Sequence, residues 1–354
     1  MKPTLMIVLT GASGFIGRRL AAQLAETQPP ASLHCLVGPD ERDPFYRAGA
    51  QLLISRGIEP RSCDLVSGRG LDGLRGADIV FHLAANTHTW EADHCCNDIG
   101  TENLLRAVQL LGPNSHFIFT STTAVMDSRS DLDEPMIAAS KTPQPPLSEY
   151  GLSKWRAEEH LRAAAAKQGF RLTIVRLCTV YGPQPRPNTL FDVMKREVSR
   201  QSLVSRLNWP ALTSFVYVED VVACLLKAAG DPPQPGQTRV YLLAAESRTL
   251  AEVSQLLHLI KELPYRPISL QKAAWRLLSN TRHLCRWGAG RLPAWLFNPV
   301  WRLNIVVNPV FNCDSSLMIK DFPDLRPRLL EDCIGDVMSK DWLFKTEMRA
   351  TLVR

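Results

Sequence analysis

The sequence predicts an α/β protein built on a doubly wound parallel sheet. Three observations carry that expectation. Short apolar runs alternate with helix-like text through the first half of the chain. A glycine-rich turn, TGASGFIG at 10–17, joins the first run to the first helix. The alternation then breaks after Gly182. Residues 5–9 (LMIVL) read as a short strand covered on both faces, because the run is continuously apolar and ends in a turn. Residues 15–26 read as a helix and 33–37 (LHCLV) as a second strand. Residues 78–83 (DIVFHL) form another strand, followed by a helix over 97–110. Residues 116–121 (HFIFTS) form a strand, 150–167 a long helix and 172–177 (LTIVRL) a further strand.

Beyond Gly182, Pro183, Pro185 and Pro187 require a loop, because proline supplies no backbone N–H to a ladder or a helix. Residues 215–229 return to strand-like and helix-like text, and a second proline-rich loop follows at 231–236. Later segments read as mostly helical. The expected organisation is a dinucleotide-binding domain over 1–182, to which 212–243 return. A smaller, mostly helical substrate domain is made from 183–211 and 244–354.

The 354 residues, 45% hydrophobic and 21% charged, are ample for a sizeable core. A net charge of +6 is too small to point to nucleic acid. Nine cysteines without a CxxC pair argue against a disulfide scaffold and for a reducing, cytoplasmic setting. The N-terminal text does not read as a signal peptide, and no apolar run is long enough to span a membrane. One segment stands apart. Residues 263–313 contain no Asp or Glu, seven basic residues and four of the eight tryptophans, Trp275, Trp287, Trp295 and Trp301. The rest of the chain is close to neutral, so the positive bias resides here. Such text suits either a helical substrate cap with buried tryptophans or a peripheral contact with a membrane surface.

In the turn, Gly11, Gly14 and Gly17 allow the backbone to bend tightly and approach a phosphate. The helix that follows offers free N–H groups and its positive dipole end to a pyrophosphate. The second strand should end near an adenosine ribose. No acid stands at Val37–Gly38, where one would select NAD. The strand end therefore favours NADP, with Arg42 as phosphate partner, and leaves NAD open. Tyr150 and Lys154 lie four residues apart and share one helix face. Bringing a phenol of pKa ~10 to neutral pH costs about 4 kcal/mol, and a neighbouring ammonium supplies part of it. Thr120, Ser121, Thr122 and Thr123 end a buried strand, where ligands of open parallel sheets bind. His88, His94, Cys95 and Cys96 lie close together but match no zinc spacing, and no metal is expected.

Taken together, these motifs resemble those of the extended short-chain dehydrogenases/reductases, the group that holds the NAD-dependent epimerases and dehydratases. The motifs that carry the resemblance are TGASGFIG (10–17), CDL (63–65), HLAA (82–85), NDIGT (97–101), TSTTAV (120–125), YGLSK (150–154), RLCTVYGP (176–183) and FVYVEDVV (215–222). They follow the family's order across residues 4–230. The resemblance implies a Rossmann-like fold and an NAD(P)-dependent oxidoreductase with Tyr150 as acid/base. Thr122 would orient the substrate oxygen, and Lys154 would hold the nicotinamide ribose while lowering the Tyr150 pKa. The cofactor would be bound by Gly11, Ser13, Gly14, Phe15, Ile16 and Gly17, with Asp64 at the adenine beside Leu65. Leu83, Ala84 and Ala85 would line it, with Leu177 (in place of the usual Pro) and Val180 near the nicotinamide. Asn97 matches the Asn of the family's NxxGT helix. A homodimer through two helices per subunit is a further implication.

Departures bear on the substrate. Nucleotide-sugar members carry an Arg just before the strand matching 215–218, where this chain has Thr213 and Ser214. The usual strand-end Tyr is replaced at Met126–Asp127. Residues 263–313 sit where sterol and 3β-hydroxysteroid dehydrogenase relatives carry an apolar insertion. The expected substrate is thus an apolar, sterol-, lipid- or polyketide-like alcohol or ketone. Two enzyme alternatives remain. One is a nucleotide-sugar epimerase or dehydratase with retained NAD; the other is an NADPH-dependent acyl-thioester reductase, which YGLSKW and the CLV strand end resemble. A catalytically idle dinucleotide sensor is disfavoured by the intact Thr122, Tyr150 and Lys154 set.

Overall fold

A computed structural model describes residues 5–39, 43–89, 91–109, 111–138 and 144–338. In chain order the strands are β1 (Ile7–Thr10), β2 (Leu33–Val37), β3 (Arg61–Ser62), β4 (Ile79–His82), β5 (His116–Thr122), β6 (Met136–Ile137), β7 (Arg171–Leu177), β8 (Thr179–Tyr181), β9 (Leu212–Tyr217), β10 (Thr238–Leu243), β11 (Glu246–Thr249) and β12 (Cys313–Asp314). The helices used below are α1 (Gly17–Thr27), α2 (Pro44–Ser55), α3 (Ile99–Ala107), α4 (Glu149–Gln168), α5 (Leu190–Ser199), α6 (Leu203–Arg206), α7 (Val218–Gly230), α8 (Leu250–Ile260), α9 (Lys272–Ser279), α10 (Thr281–Gly288) and α11 (Ala294–Val307).

Seven strands form one parallel sheet in the order β10-β7-β5-β4-β1-β2-β3. This is the doubly wound, Rossmann-like architecture that the alternating text predicted. Every residue of β1 (IVLT) and β5 (HFIFTST) is buried, as strands covered by helices on both faces must be. Alternate residues feed two cores. Ile7, Leu9, Ile118 and Val175 pack with Leu20 of α1 and Val221 of α7. Val8, Phe117, Phe119 and Ile174 pack on the other face with Leu104 of α3 and Leu161 of α4. The helix predicted over 97–110 is shorter, because the Asp98 carboxylate caps its start at the Ile99 N–H.

After the large sheet comes a smaller assembly. Strand β9 pairs with β8 and β11 in a separate three-stranded sheet, whereas α7 and β10, which follow it, pack on and extend the large sheet. Tyr181, Phe191, Phe215, Tyr217 and Leu257 form a third core between this sheet, α5 and α8. Helices α10 and α11 enclose a fourth around Cys285, Phe297 and Trp301.

One ion pair ties the long helix to the sheet. Arg176 of β7 donates from Nε and Nη2 to the two oxygens of Glu158 in α4, at 3.0 and 2.7 Å, and Ser121 of β5 donates to the same carboxylate at 2.6 Å. Both charged side chains are fully buried. Removing one partner leaves a buried charge without its counterion, which costs about 3–5 kcal/mol. Glu158→Ala should therefore lower unfolding free energy by about that amount in urea titration; a loss below about 1 kcal/mol would contradict this anchoring role.

Candidate active site

The strand order reverses between β1 and β4, and the turns that leave their carboxyl ends meet there. Open α/β sheets bind ligands at this point. Thr10 closes the junction: its Oγ1 accepts from the Leu83 and Ala84 N–H groups, both at 3.1 Å, and pairs with His82 Nδ1 at 2.7 Å. His82 Nε2 lies 2.9 Å from Thr101 Oγ1. Burial, with the Lys154 charge adding to it, pushes the His82 pKa down to about 3, so its imidazole is neutral.

The glycine turn packs so closely on neighbouring backbone that side chains are excluded from it. Gly11 has φ +68°, and a Cβ there would meet Ala84 N at 2.8 Å. A Cβ at Gly17 would lie 2.1 Å from the Gly11 carbonyl oxygen. Ser13 is buried against α2, where a Cβ on Gly49 would lie 2.0 Å from the Ser13 carbonyl. Phe15 and Ile16 lead into α1, whose start is closed by Arg18 N–H to the Gly14 carbonyl at 3.1 Å and by the Arg19 and Leu20 N–H groups to the Ile16 carbonyl at 3.1 and 3.0 Å. These features would hold a pyrophosphate by backbone N–H groups and the helix dipole.

Helix α4 carries Tyr150 and Lys154. Ser148 caps it, accepting from the Gly151 N–H at 3.2 Å, which puts Tyr150 in the first turn and Lys154 one turn later. Thr122 ends β5, with its hydroxyl accepting from the Ala124 N–H at 3.2 Å. Burial raises the Tyr150 pKa; the nearby Thr122 hydroxyl and the positive charge of Arg186 oppose that rise. Lys154 is buried, with its Nζ 3.9 Å from the Phe119 ring centroid and no hydrogen-bond partner among the described residues. Burial lowers its pKa to about 7, against smaller opposing effects of Cys96 and Glu158. The expected depression of Tyr150 by Lys154 is not found here: Lys154 is not among the groups that lower the Tyr150 pKa, because the ammonium sits on Phe119 and is itself desolvated. An orphaned buried ammonium is suited to the hydroxyls of a ribose, so the residues present fit a nicotinamide dinucleotide.

Asp127 was read only as a departure from a motif, yet it organises this corner. Its buried carboxylate accepts from Leu147 N (2.6 Å), Ser148 N (3.2 Å), Ser148 Oγ (2.7 Å) and Trp301 Nε1 (2.9 Å). Burial raises its pKa to about 6 against these four bonds. The start of α4 and the tryptophan of α11 are therefore fastened to one group. His94, considered first as a metal ligand, lies with its ring 5.7 Å from that of Tyr150 and its Nδ1 3.2 Å from the Asn86 carbonyl. Asn97 bonds Asn86 O and Ser153 Oγ, joining the 86–97 loop to α4.

Other predicted residues fall around the same edge. Leu83, Ala84 and Ala85 are half-buried beside the turn, and Leu177 and Val180 lie at the end of β7 and in β8. Leu65 is buried against Gly100. The Asp64 carboxylate is committed locally, accepting from Ser67 Oγ at 2.7 Å and Val66 N at 3.0 Å; these bonds, Ser67 first, lower its pKa. Arg42 lies outside the described residues. A cavity of about 290 Å³ opens at the start of α4, walled by Ala92, Leu147, Glu149, Leu292, Phe297 and Asn298.

A phenol and an ammonium on one helix, at the carboxyl edge of a parallel sheet with a phosphate-binding turn, define an enzyme of the short-chain dehydrogenase/reductase type. Comparison with known proteins agrees. Residues 7–244 match the NAD dependent epimerase/dehydratase family, and the chain belongs to it. It is 26% identical to an uncharacterised UDP-glucose epimerase of Bacillus subtilis, YtcB, over 71% of this chain and 80% of that one. It is 27% identical to the hybrid PKS-NRPS synthetase poxE of Penicillium oxalicum over 68% of this chain but only 6% of that much longer protein. The crystal structure of gox2253 superposes with a TM-score of 0.72 at 24% identity, covering 94% of this chain and 96% of the other. UDP-glucuronic acid 4-epimerase from Bacillus cereus, solved with UDP-glucuronic acid and NAD, superposes with a TM-score of 0.68 at 21% identity, covering 94% and 97%.

The buried ammonium has a thermodynamic signature. Its folded pKa of about 7 lies below the ordinary 10.5, so the folded state binds the proton less tightly than the unfolded chain. The penalty is full below pH ~7 and fades as pH rises toward 10.5. Lys154→Met should therefore raise the melting temperature of cofactor-free protein at pH 6, by a margin that shrinks above pH ~7, while weakening cofactor binding. A variant less stable than wild type at pH 6 would contradict this.

Proposed function

We propose that the enzyme interconverts a carbinol and a carbonyl on an apolar substrate, with Tyr150 as acid/base. The bound nicotinamide cofactor supplies or accepts the hydride. In reduction the Tyr150 phenol gives its proton to the carbonyl oxygen and becomes the phenolate; in oxidation the phenolate takes the hydroxyl proton and the phenol is restored. Thr122 orients the reacting oxygen beside the phenol, and Lys154 holds the cofactor through its ribose. The neutral His82 and its partner Thr10 shape the floor of the cofactor groove. The observation that carries this reading is the placement of Tyr150 and the buried, unpartnered Lys154 one turn apart on α4, with Thr122 at the end of β5.

The apolar substrate class rests on what the opposite wall offers. Thr213 is buried, and Ser214 is tied to Ser247 Oγ at 2.6 Å and to Cys313 N at 2.8 Å. Arg248, in register with Thr213 across β11, is engaged by Glu246 and Glu331 and does not present a free cation for a diphosphate. The neighbouring cavity is walled in part by Leu147, Leu292 and Phe297. NADP is the proposed cofactor. Asp43, the first described acid after β2, is consumed in capping α2 through the Phe45 N–H at 2.8 Å, which leaves it poorly placed to bind a ribose 2′-hydroxyl.

A second reading, a nucleotide-sugar epimerase or dehydratase, is favoured by the similarity to the Bacillus subtilis UDP-glucose epimerase. Turnover separates the two. The purified enzyme should oxidise or reduce members of a panel of hydrophobic alcohols and ketones, and Tyr150→Phe should lower kcat by about 10²–10⁴-fold with little change in cofactor affinity. Efficient conversion of UDP- or dTDP-sugars with no activity on the apolar panel would overturn the substrate class. Conversion of an acyl-carrier thioester in its place would assign the acyl-thioester reductase alternative, which YGLSKW and the CLV strand end resemble.

A further inference from the structure

The basic, acid-free segment resolves into two faces. Its inner face is cap: Trp301 and Phe297 are 4% exposed, Cys285 is fully buried, and Trp301 bonds Asp127. The outer face is different. Leu277 of α9, Leu284 and Trp287 of α10, and Trp295 and Leu296 of α11 are 71%, 54%, 59%, 72% and 42% exposed. Between them stand Lys272, Arg276, Arg282, Arg286 and Arg291, all exposed. None of these five cations forms an ion pair among the described residues. On α10, Thr281, Cys285 and Gly288 face inward, while Arg286 and Trp287 lie on the side away from them.

From this face we infer that the enzyme docks peripherally on an anionic membrane surface through α9–α11. Exposed tryptophan and leucine interleaved with unpaired basic residues is the composition of an interfacial helix. The leucines and indoles enter the boundary between headgroups and acyl chains, and the guanidinium groups stay at the phosphates. A protein partner would have to cover five cations and two large indoles together, whereas a negatively charged bilayer answers both by its own structure. No helix among the described residues is long and apolar enough to cross a membrane, so the contact is one of lying on the surface. The turn Ala294–Asn298 links this face to the site: Trp295 and Leu296 point outward while Ala294, Phe297 and Asn298 wall the cavity at the start of α4. Docking stands apart from the substrate reading, since it uses no residue of the catalytic groove.

The test is vesicle sedimentation of the full chain with phosphatidylcholine vesicles and with phosphatidylcholine–phosphatidylserine vesicles, at low and physiological salt. Wild type should pellet with the phosphatidylserine vesicles at low salt, with a blue shift of tryptophan emission, and weakly or not at all with phosphatidylcholine alone. Trp287→Ala/Trp295→Ala should abolish the blue shift and most binding at physiological salt. Lys272→Gln/Arg276→Gln/Arg282→Gln should weaken partitioning into the charged vesicles by at least about tenfold. Arg286 and Arg291 are left in place because they also donate to the Arg129 and Trp287 carbonyls, at 3.0 and 2.8 Å. Unchanged cofactor binding in both variants shows that the fold is intact. The inference is overturned if wild type stays in the supernatant at low salt, or if neither variant changes binding. Concentration-dependent self-association, lost in the tryptophan variant and without vesicle binding, would also overturn it and assign the face to a second copy of the chain.

Discussion

The geometry of the site depends on one buried carboxylate. Asp127 sits just beyond the strand whose end carries Thr122, and it receives four hydrogen bonds from two other parts of the chain. Three fix Leu147 and Ser148, the residues that start α4; the fourth comes from Trp301, 174 residues away in α11. The first turn of α4 holds Tyr150, so the position of the phenol, the direction of the helix and the seat of the cap are set at a single point. An isolated charge could not be kept there. Four donors offset its desolvation, and the pKa of about 6 measures how incompletely they do so.

The same corner is costly to fold. Lys154 is buried without a hydrogen-bond partner, and Tyr150 is made a weaker acid by its surroundings. Both are penalties that the fold accepts in advance of ligand, as functional sites commonly do. The scaffold answers with a rigid frame: the Arg176–Glu158 pair, the two apolar cores on the faces of the sheet, and the Asn97 bonds that hold the loop opposite Tyr150. A bound dinucleotide would offer this ammonium hydroxyl partners and so offset part of the penalty.

Much of this was legible in the sequence because it is local. The glycine turn, the apolar strands, and the four-residue spacing of Tyr150 and Lys154 each lie within one or two elements, where periodicity and backbone preference decide the outcome. Thr122 could be singled out from four adjacent hydroxyl residues only through the resemblance. What escaped is non-local. Nothing near Asp127 in the sequence announces Trp301, and no periodic signal links Glu158 to Arg176 and Ser121. The sequence of the Trp-rich segment admits either a substrate cap or a membrane contact; in three dimensions its tryptophans divide, with Trp301 buried and Trp287 and Trp295 exposed. Lys154 was expected to act on Tyr150 directly, but its side chain turns to Phe119, a preference that the spacing alone could not reveal.

The central claim is that this groove exchanges its cofactor in each cycle and passes hydride to or from a separate apolar substrate. Its most direct test is calorimetric titration of freshly purified enzyme with NAD(H) and NADP(H), coupled to release of any co-purified dinucleotide on denaturation. The account predicts little bound dinucleotide, reversible binding and a preference for the NADP pair. One equivalent of NAD, released only on denaturation, would contradict it and assign a closed redox cycle on one substrate.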